Sequence, residues 1–159
     1  MTKTTRILRS SLSLLLCLCL LCSVALLFTS CGGTGKVDLS AGYRVVYEKG
    51  FNATLVACVK DFEQQVNGTF GVTLDKSATS DSEAVASEIL VGETGRPETE
   101  ALKKKIKGDG YAYGVQKGKL VIVGTSKLYT LMALEDFAAT QLTAGNGTTL
   151  EVRETVCSE

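Results

Sequence analysis

Short apolar runs and amphipathic segments alternate along the chain from residue 43 onward. Apolar or alternating runs of four to eight residues predict strands, and apolar residues at every third or fourth position predict helices. Strands are predicted over residues 43–48, 72–74, 87–92, 111–116, 119–123 and 150–156, and helices after Asn52, from Pro97 and after Ser126. This order predicts an α+β fold, with a mixed sheet of about five to six strands and two to three helices mainly on one face.

The segment from Lys119 to Leu142 is the centre of this prediction. Its uninterrupted apolar run, Leu120 to Val123, is typical of a strand near the middle of a sheet. Gly124 ends the strand, and Thr125 or Ser126 can cap the helix that follows. The apolar residues of this helix that we predict to face the core are Leu128, Leu131, Leu134 and Ala138.

The first helix has the clearest amphipathic pattern of the chain. Its apolar stripe, at helical spacing, consists of Leu55, Val59, Phe62 and Val66. Asn67-Gly68 is predicted to end the helix. The polar stretch 75–83 predicts an exposed loop, and Lys117-Gly118 predicts a hairpin between two strands.

The first 30 residues have the layout of a secretory signal. Three basic residues by position 9 precede an almost unbroken apolar run from Leu12 to Phe28. The following sequence, LFTSCGG, resembles a bacterial lipobox in which Cys31 is lipidated, although the run is also close to the length of an uncleaved membrane anchor. We therefore expect a signal peptide at 1–30, a tether at 31–42 and one domain at 43–159. The lipid would hold that domain at the outer face of the cytoplasmic membrane or in the cell envelope.

The charge balance limits the partners of the mature domain. Removal of residues 1–30 leaves 14 basic and 17 acidic residues, a net charge of about −3. This balance argues against nucleic acid as a partner. The membrane, through the lipid, and a polysaccharide or an envelope protein are the expected partners. The one basic cluster, Lys103, Lys104, Lys105 and Lys107, is attributed to favourable charge at a helix C-terminus.

Two of the six cysteines remain after lipidation and signal removal, namely Cys58 and Cys157. A disulfide between them would close a loop of about a hundred residues and contribute about 4 to 5 kcal/mol in the chain-entropy model. The alternative is that Cys58, on the apolar side of its helix, is an inert buried thiol. The sequence leaves both interpretations open.

The absence of histidine restricts the chemistry of this chain. It excludes Ser-His and Cys-His nucleophiles and the common zinc sites, so no catalytic residue, metal or cofactor is predicted. A pair of carboxylates could still hydrolyse a glycosidic bond. Glu135 and Asp136, however, are adjacent in a helix and therefore point about 100° apart.

No ligand-binding residue can be assigned from these patterns. Tyr111 and Tyr113 share a strand face, where they could stack on a sugar or simply pack under a helix. The glycine-containing loops at 92–97 and 124–126 match neither dinucleotide nor P-loop motifs and are interpreted as turns. The Asn-x-Thr sequences at Asn52, Asn67 and Asn146 are interpreted as cap and turn residues.

One part of the chain resembles a known module. The segments that carry the resemblance are EILVGETGRPET at 88–99, GYAY at 110–113, and KLVIVG at 119–124 before a helix with Ala133 and Phe137. They are similar to the non-catalytic N-terminal domain that precedes the barrel in family-20 β-hexosaminidases and bacterial α-glucuronidases. The resemblance implies a sheet with helices on one side that supports a catalytic domain. The catalytic acids of those enzymes lie in the barrel, so none is carried over to this chain.

These observations predict a lipid-anchored, extracytoplasmic, non-enzymatic α+β domain, which is an accessory or carbohydrate-associated surface protein. Two alternatives remain open. One is a small glycoside hydrolase that uses carboxylates, and the other is a structural or partner-binding envelope lipoprotein.

Overall fold

The computed structural model of the protein describes residues 33–142 and 147–158, which form three helices and eight strands. The strands are β1 (Thr34–Asp38), β2 (Arg44–Tyr47), β3 (Asp75–Thr79), β4 (Glu88–Val91), β5 (Gly110–Gln116), β6 (Lys119–Gly124), β7 (Thr149–Arg153) and β8 (Thr155–Ser158). The helices are α1 (Ala53–Phe70), α2 (Pro97–Lys103) and α3 (Lys127–Thr140). The predicted α+β class is confirmed.

A six-stranded sheet in the order β3-β2-β4-β6-β5-β8 forms the centre of the fold. Neighbours among β3, β2, β4 and β6 are parallel, whereas β5 runs antiparallel to both β6 and β8. The sheet is therefore mixed, as predicted. The β5–β6 connection is the predicted hairpin, and Lys117 and Gly118 both adopt positive φ in it.

The two long helices cover one face of this sheet and the short helix α2 covers the other. Ile89, Val91 and Ile122 belong to the larger core with Phe62 of α1 and Phe137 of α3. The alternate strand residues belong to a second cluster on the α2 side, which comprises Val46, Leu90, Leu102, Ile106, Ala112, Val121 and Val123. Burial on both faces explains the continuous apolar runs of β4 and β6.

The prediction of a tether at 31–42 is wrong for residues 34–41, which form regular structure. Thr34–Asp38 is a strand that pairs antiparallel with β7, and Leu39–Ala41 is a 3₁₀ turn. Val37 and Leu39 are each only 2% exposed, because both belong to the main core. The folded domain therefore begins at Thr34, nine residues earlier than predicted. Val37 and Leu39 are surrounded by polar residues and glycines in the sequence, so no apolar pattern indicates that they are buried.

Helix α1 and the segment after it also differ from the prediction. The helix continues through Asn67-Gly68 to Phe70, and Gly71 provides the left-handed C-cap. Burial of Phe70 one turn beyond Val66 outweighs the low helix propensity of glycine. The predicted strand at 72–74 is absent, and its place in the sheet is taken by Asp75–Thr79, part of the expected loop. This strand lies at the sheet edge, where polar residues are tolerated.

The C-terminal strand predicted at 150–156 is two strands in different sheets. β7 pairs with β1 and β8 pairs with β5, with a break at Glu154. The carboxylate of Glu154 binds Lys105 Nζ at 2.6 Å and Gln116 Nε2 at 3.0 Å. The break between β7 and β8 therefore coincides with a residue whose side chain is hydrogen-bonded to Lys105 and Gln116.

The predicted cap of α3 is correct, but its predicted core face is correct only at Leu134. Ser126 Oγ accepts a hydrogen bond from the Tyr129 amide. The side chains that face the core are Thr130, Ala133, Leu134 and Phe137. Leu128 is 64% exposed, while Leu131 and Ala138 are half-buried. The helix carries apolar residues on several sides, so periodicity alone could not identify the core face.

Within the described residues, no helix combines the length and hydropathy that a bilayer crossing requires. The predicted signal peptide and Cys31 lie outside those residues.

Candidate functional site

An open groove runs between α1 and α3 on the outer side of the helix layer. It encloses a cavity of about 410 Å³. Helical spacing on α1 directs Cys58, Asp61, Phe62 and Gln65 to its wall. The opposite wall, from α3, consists of Leu131, Leu134, Glu135, Ala138 and Ala139.

The groove has an apolar floor and an acidic rim. Phe62 and Leu134 are buried at its base, whereas Asp61 and Glu135 are exposed, one from each helix. Among the described residues, no Lys or Arg forms an ion pair with either carboxylate. The groove therefore presents apolar surface between two exposed carboxylates that form no ion pair with the described residues.

The outer surface of α3 extends this apolar region. Leu128 is 64% exposed and Met132 is 40% exposed, one helical turn apart. Leu131, one turn after Leu128 and next to Met132, adjoins both, so the three side chains form an apolar strip along the first half of the helix. Isolated exposed apolar side chains are ordinary, but a strip beside an apolar groove indicates an interaction surface.

A second cluster, of two tyrosines and an aspartate, lies on the other side of α3. Asp136 Oδ2 accepts hydrogen bonds from Tyr111 at 3.1 Å and from Tyr113 at 2.9 Å. The two rings stack with centroids 6.4 Å apart, and Tyr113 also contacts Phe137 edge-on. Tyr113 is only 2% exposed. The packing interpretation thus holds for Tyr113, and Tyr111 alone keeps a partly accessible ring.

Tyr111 is electrostatically perturbed in this cluster. A hydrogen bond with Cys157, burial, and the hydrogen bond and negative charge of Asp136 all raise its pKa. The predicted divergence of Glu135 and Asp136 is evident here, because Glu135 faces the groove while Asp136 faces the tyrosines.

The disulfide considered between Cys58 and Cys157 is not formed. Both residues are free, half-buried thiols. Cys58 lines the groove from α1, whereas Cys157 lies on the edge strand β8 beside Tyr111. Each thiol is held in its own cluster of side chains.

A buried carboxylate, Glu88, lies on the opposite face of the sheet beside α2. It is fully buried, with Oε2 2.7 Å from Lys119 Nζ and Oε1 3.0 Å from Arg44 Nη2. Arg96 contacts both carboxylate oxygens at 3.4 Å, and the Val85 amide donates to Oε1 at 3.1 Å. We call Glu88, Arg44, Arg96 and Lys119 the Glu88 cluster.

These contacts determine the protonation state of Glu88. Burial by itself would raise its pKa, but hydrogen bonds from Lys119, the Val85 amide and the two arginines outweigh this effect and lower the pKa to about 2. Glu88 is therefore ionised at neutral pH. A carboxylate saturated by protein donors is a structural group and has no free oxygen for a substrate.

Several residues of the segment that carries the family resemblance have structural roles in the fold. Arg96 belongs to the Glu88 cluster, and the buried hydroxyls of Thr94 and Thr99 lie 2.7 Å apart. Gly92 has φ +79°, and a side chain there would collide with Phe51. These positions of the motif are therefore explained by folding requirements.

Amides at the start of the two glycine-containing loops are already hydrogen-bonded within the fold and are therefore not free for an anion. The Gly92 and Glu93 amides donate to Ile122 O and Glu48 Oε2. The Gly124 and Thr125 amides donate to Thr130 Oγ1 and Gly110 O. Both loops are turns, as predicted.

Other predicted polar residues are explained by local structure. Asn52 caps α1 through the Leu55 amide, and Asn67 accepts from the Leu74 amide, while Asn146 lies outside the described residues. Lys103 and Lys105 form ion pairs with Glu93 and Glu154. In the parts of the chain that the structure describes, no group of three or more acidic or cysteine side chains is arranged to hold a metal.

Comparisons with known proteins bear on the fold. No protein-family model matches the chain. No curated protein matches it either. Among solved structures, the chain is similar to that of CpGH84D, a glycoside hydrolase family 84 protein, with a TM-score of 0.53 and 13% identity. The match covers 80% of this chain and 22% of that one, so this chain spans less than a quarter of its structural neighbour.

Proposed function

We propose that the protein is a lipid-anchored, extracytoplasmic accessory domain, non-catalytic and associated with carbohydrate. The observation that carries the proposal is the fold shared with one segment of a glycoside hydrolase family 84 protein. The resemblance of residues 88–142 to the supporting N-terminal domain of family-20 β-hexosaminidases and α-glucuronidases is part of the same proposal. A fold used as a minor part of a larger enzyme is compatible with a supporting role.

The environment of the carboxylates supports a non-catalytic role. A glycosidase acid needs a raised pKa, which is usually supplied by burial. Asp61 and Glu135, which share the groove, are both exposed to solvent. Burial does raise the pKa of Glu63, but that side chain contacts Ser77 near the sheet edge and does not line the groove.

The placement of Asp61 and Glu135 across one groove also defines the test of the rival function, a small glycoside hydrolase. Turnover of a chromogenic glycoside would be measured for the full-length protein and for Asp61→Asn and Glu135→Gln. The proposal expects no turnover above background. Turnover that either substitution abolishes would establish the enzyme instead.

The carbohydrate part can be tested by isothermal titration. The full-length protein in detergent micelles would be titrated with chito-oligosaccharides and glucurono-oligosaccharides. Heat of binding that decreases in Tyr111→Ser, but not in Tyr113→Phe, would place the sugar at the partly accessible ring. Absence of heat with every oligosaccharide would contradict the carbohydrate association.

The lipid anchor can be tested separately by metabolic labelling with palmitate. The protein is expected to incorporate label, and Cys31→Ser is expected to abolish it. Cys22→Ser is the matched control, because it removes a thiol within the predicted signal and leaves the lipobox intact. Equal labelling of the two variants would contradict lipidation at Cys31.

A further inference from the structure

We propose that the groove between α1 and α3 is a docking site for a basic amphipathic helix of a partner protein. The proposal concerns the helix layer and is independent of whether the domain binds sugar or carries a lipid. It rests on the shape, apolar surface and charge of the groove.

The apolar surface available to a partner comes mainly from α3. Leu131, Leu134 and Ala138 line the groove from α3, and the exposed Leu128 and Met132 extend it toward the start of that helix. A third helix placed between α1 and α3 would cover this strip by packing its own apolar residues into the groove. Because α3 has 14 residues, or about 21 Å of helix, a partner helix of about four turns would match its length.

The charges determine which kind of helix fits. Asp61 and Glu135 stand on opposite rims without an ion-pair partner among the described residues. Two lysines of the same helices are directed elsewhere, since Lys127 Nζ donates a hydrogen bond to the Gly50 carbonyl and Lys60 points about 100° away from Asp61 around α1. Lysine or arginine on both flanks of an apolar stripe would be complementary to these rims.

Other occupants fit the groove less well. A second copy would bring the same acidic rims against each other, and like charges oppose that pairing. An anionic membrane surface would be repelled for the same reason. Among the described residues that line the groove, Phe62 is the one aromatic, and because it is only 2% exposed it offers no ring to stack on a sugar.

The test uses two designed helical peptides of 14 residues with the same leucine and alanine stripe. One has lysine and arginine on its flanks, and the other has glutamate at the same positions. Binding of each fluorescent peptide to the full-length protein would be measured by anisotropy. In parallel, alkylation of Cys58, which lines the groove, would be quantified by mass spectrometry, with Cys157 as an internal control outside the groove.

The basic peptide is expected to bind at least tenfold more tightly than the acidic one and to slow the alkylation of Cys58, but not of Cys157. The double variant Asp61→Lys with Glu135→Lys is expected to reverse the preference, because both residues are exposed and can change without disturbing the core. Circular dichroism of the variant would verify that it folds.

Three results would overturn the proposal. The first is failure of both peptides to bind, and the second is equal binding of the two. The third is protection of Cys58 that depends on protein concentration without peptide, or on anionic vesicles, which would assign the groove to a second copy or to the membrane.

Discussion

Replacement of Glu88 by glutamine would keep the shape of this side chain and remove its charge. The substitution leaves Arg44, Arg96 and Lys119 around a neutral group in a largely buried site. Glu98 Oε2, at 4.0 Å from Lys119, compensates only part of the remaining positive charge. We therefore expect two effects of Glu88→Gln. The three cations would repel one another without a compensating negative charge, and some of their N–H groups would lose their acceptor.

The expected magnitude follows from measurements on similar sites. Removal of one partner from a buried ion pair costs about 3 to 5 kcal/mol. A domain of this size is stabilised by about 5 to 15 kcal/mol, so the loss would be a large share of its stability. Urea unfolding of the full-length protein, followed by circular dichroism, would measure the free energy of unfolding.

The matched control is the same substitution in an exposed ion pair. Glu151 contacts Lys36 at 2.6 Å, but both side chains are more than half exposed. Glu151→Gln is expected to change the free energy of unfolding by less than about 1 kcal/mol. Equal effects of the two substitutions would refute the assignment of Glu88 as a stabilising buried charge.

The pH dependence provides a second check with a definite sign. The pKa of Glu88 is lowered from its ordinary 4.5 to about 2 in the folded protein. Its ionised form therefore contributes stability that is fully present above about pH 4.5 and is lost as the pH falls toward 2. The difference in unfolding free energy between wild type and Glu88→Gln should shrink over that window. A difference that stays constant from pH 7 to pH 2 would contradict the mechanism.

Two further predictions concern glycine and tyrosine positions. Gly124→Ala is expected to cost about 1 to 3 kcal/mol, because the new Cβ would collide with the backbone of the next helix turn, whereas Gly68→Ala, in open space within α1, is expected to stabilise by about 0.5 to 1 kcal/mol. Thermal denaturation would compare the two, and similar effects would refute the reasoning. Asp136→Asn is expected to lower the raised pKa of Tyr111, since it removes a negative charge beside the phenol. Ultraviolet titration against Tyr111→Phe would measure this shift, and an unchanged pKa would exclude the contribution of Asp136.

The fold class was predictable because the main elements are strongly patterned. The buried runs of β4 and β6, the stripe of α1 and the cap at Ser126 all had local signals that the structure confirms. The incorrect predictions concern elements whose position depends on tertiary contacts. β3 is polar and lies at a sheet edge, and β1 has only one buried side chain, Val37, so neither produces a periodic signal.

The candidate sites were less predictable than the fold. The groove depends on which side of α3 faces the sheet, and a helix with apolar residues on several sides does not encode that choice locally. In the sequence, Glu88 is simply the second residue of the strand predicted at 87–92. Its three cationic partners come from positions 44, 96 and 119, so only the folded topology brings them together.

The Glu88 cluster also affects how the parallel strands align. Arg44 pairs with Glu88 across β2 and β4, and Lys119 lies one residue before Leu120, the partner of Ile89, so the three charges occupy one row across three strands. β4 and β6 are buried at every position, so several alignments of these strands would bury apolar side chains. A shift of β6 by two residues would keep its side chains on the same faces and still bury aliphatic groups. The same shift would separate Lys119 from Glu88. The row of charges thus gives three strands, distant in sequence, a single common alignment.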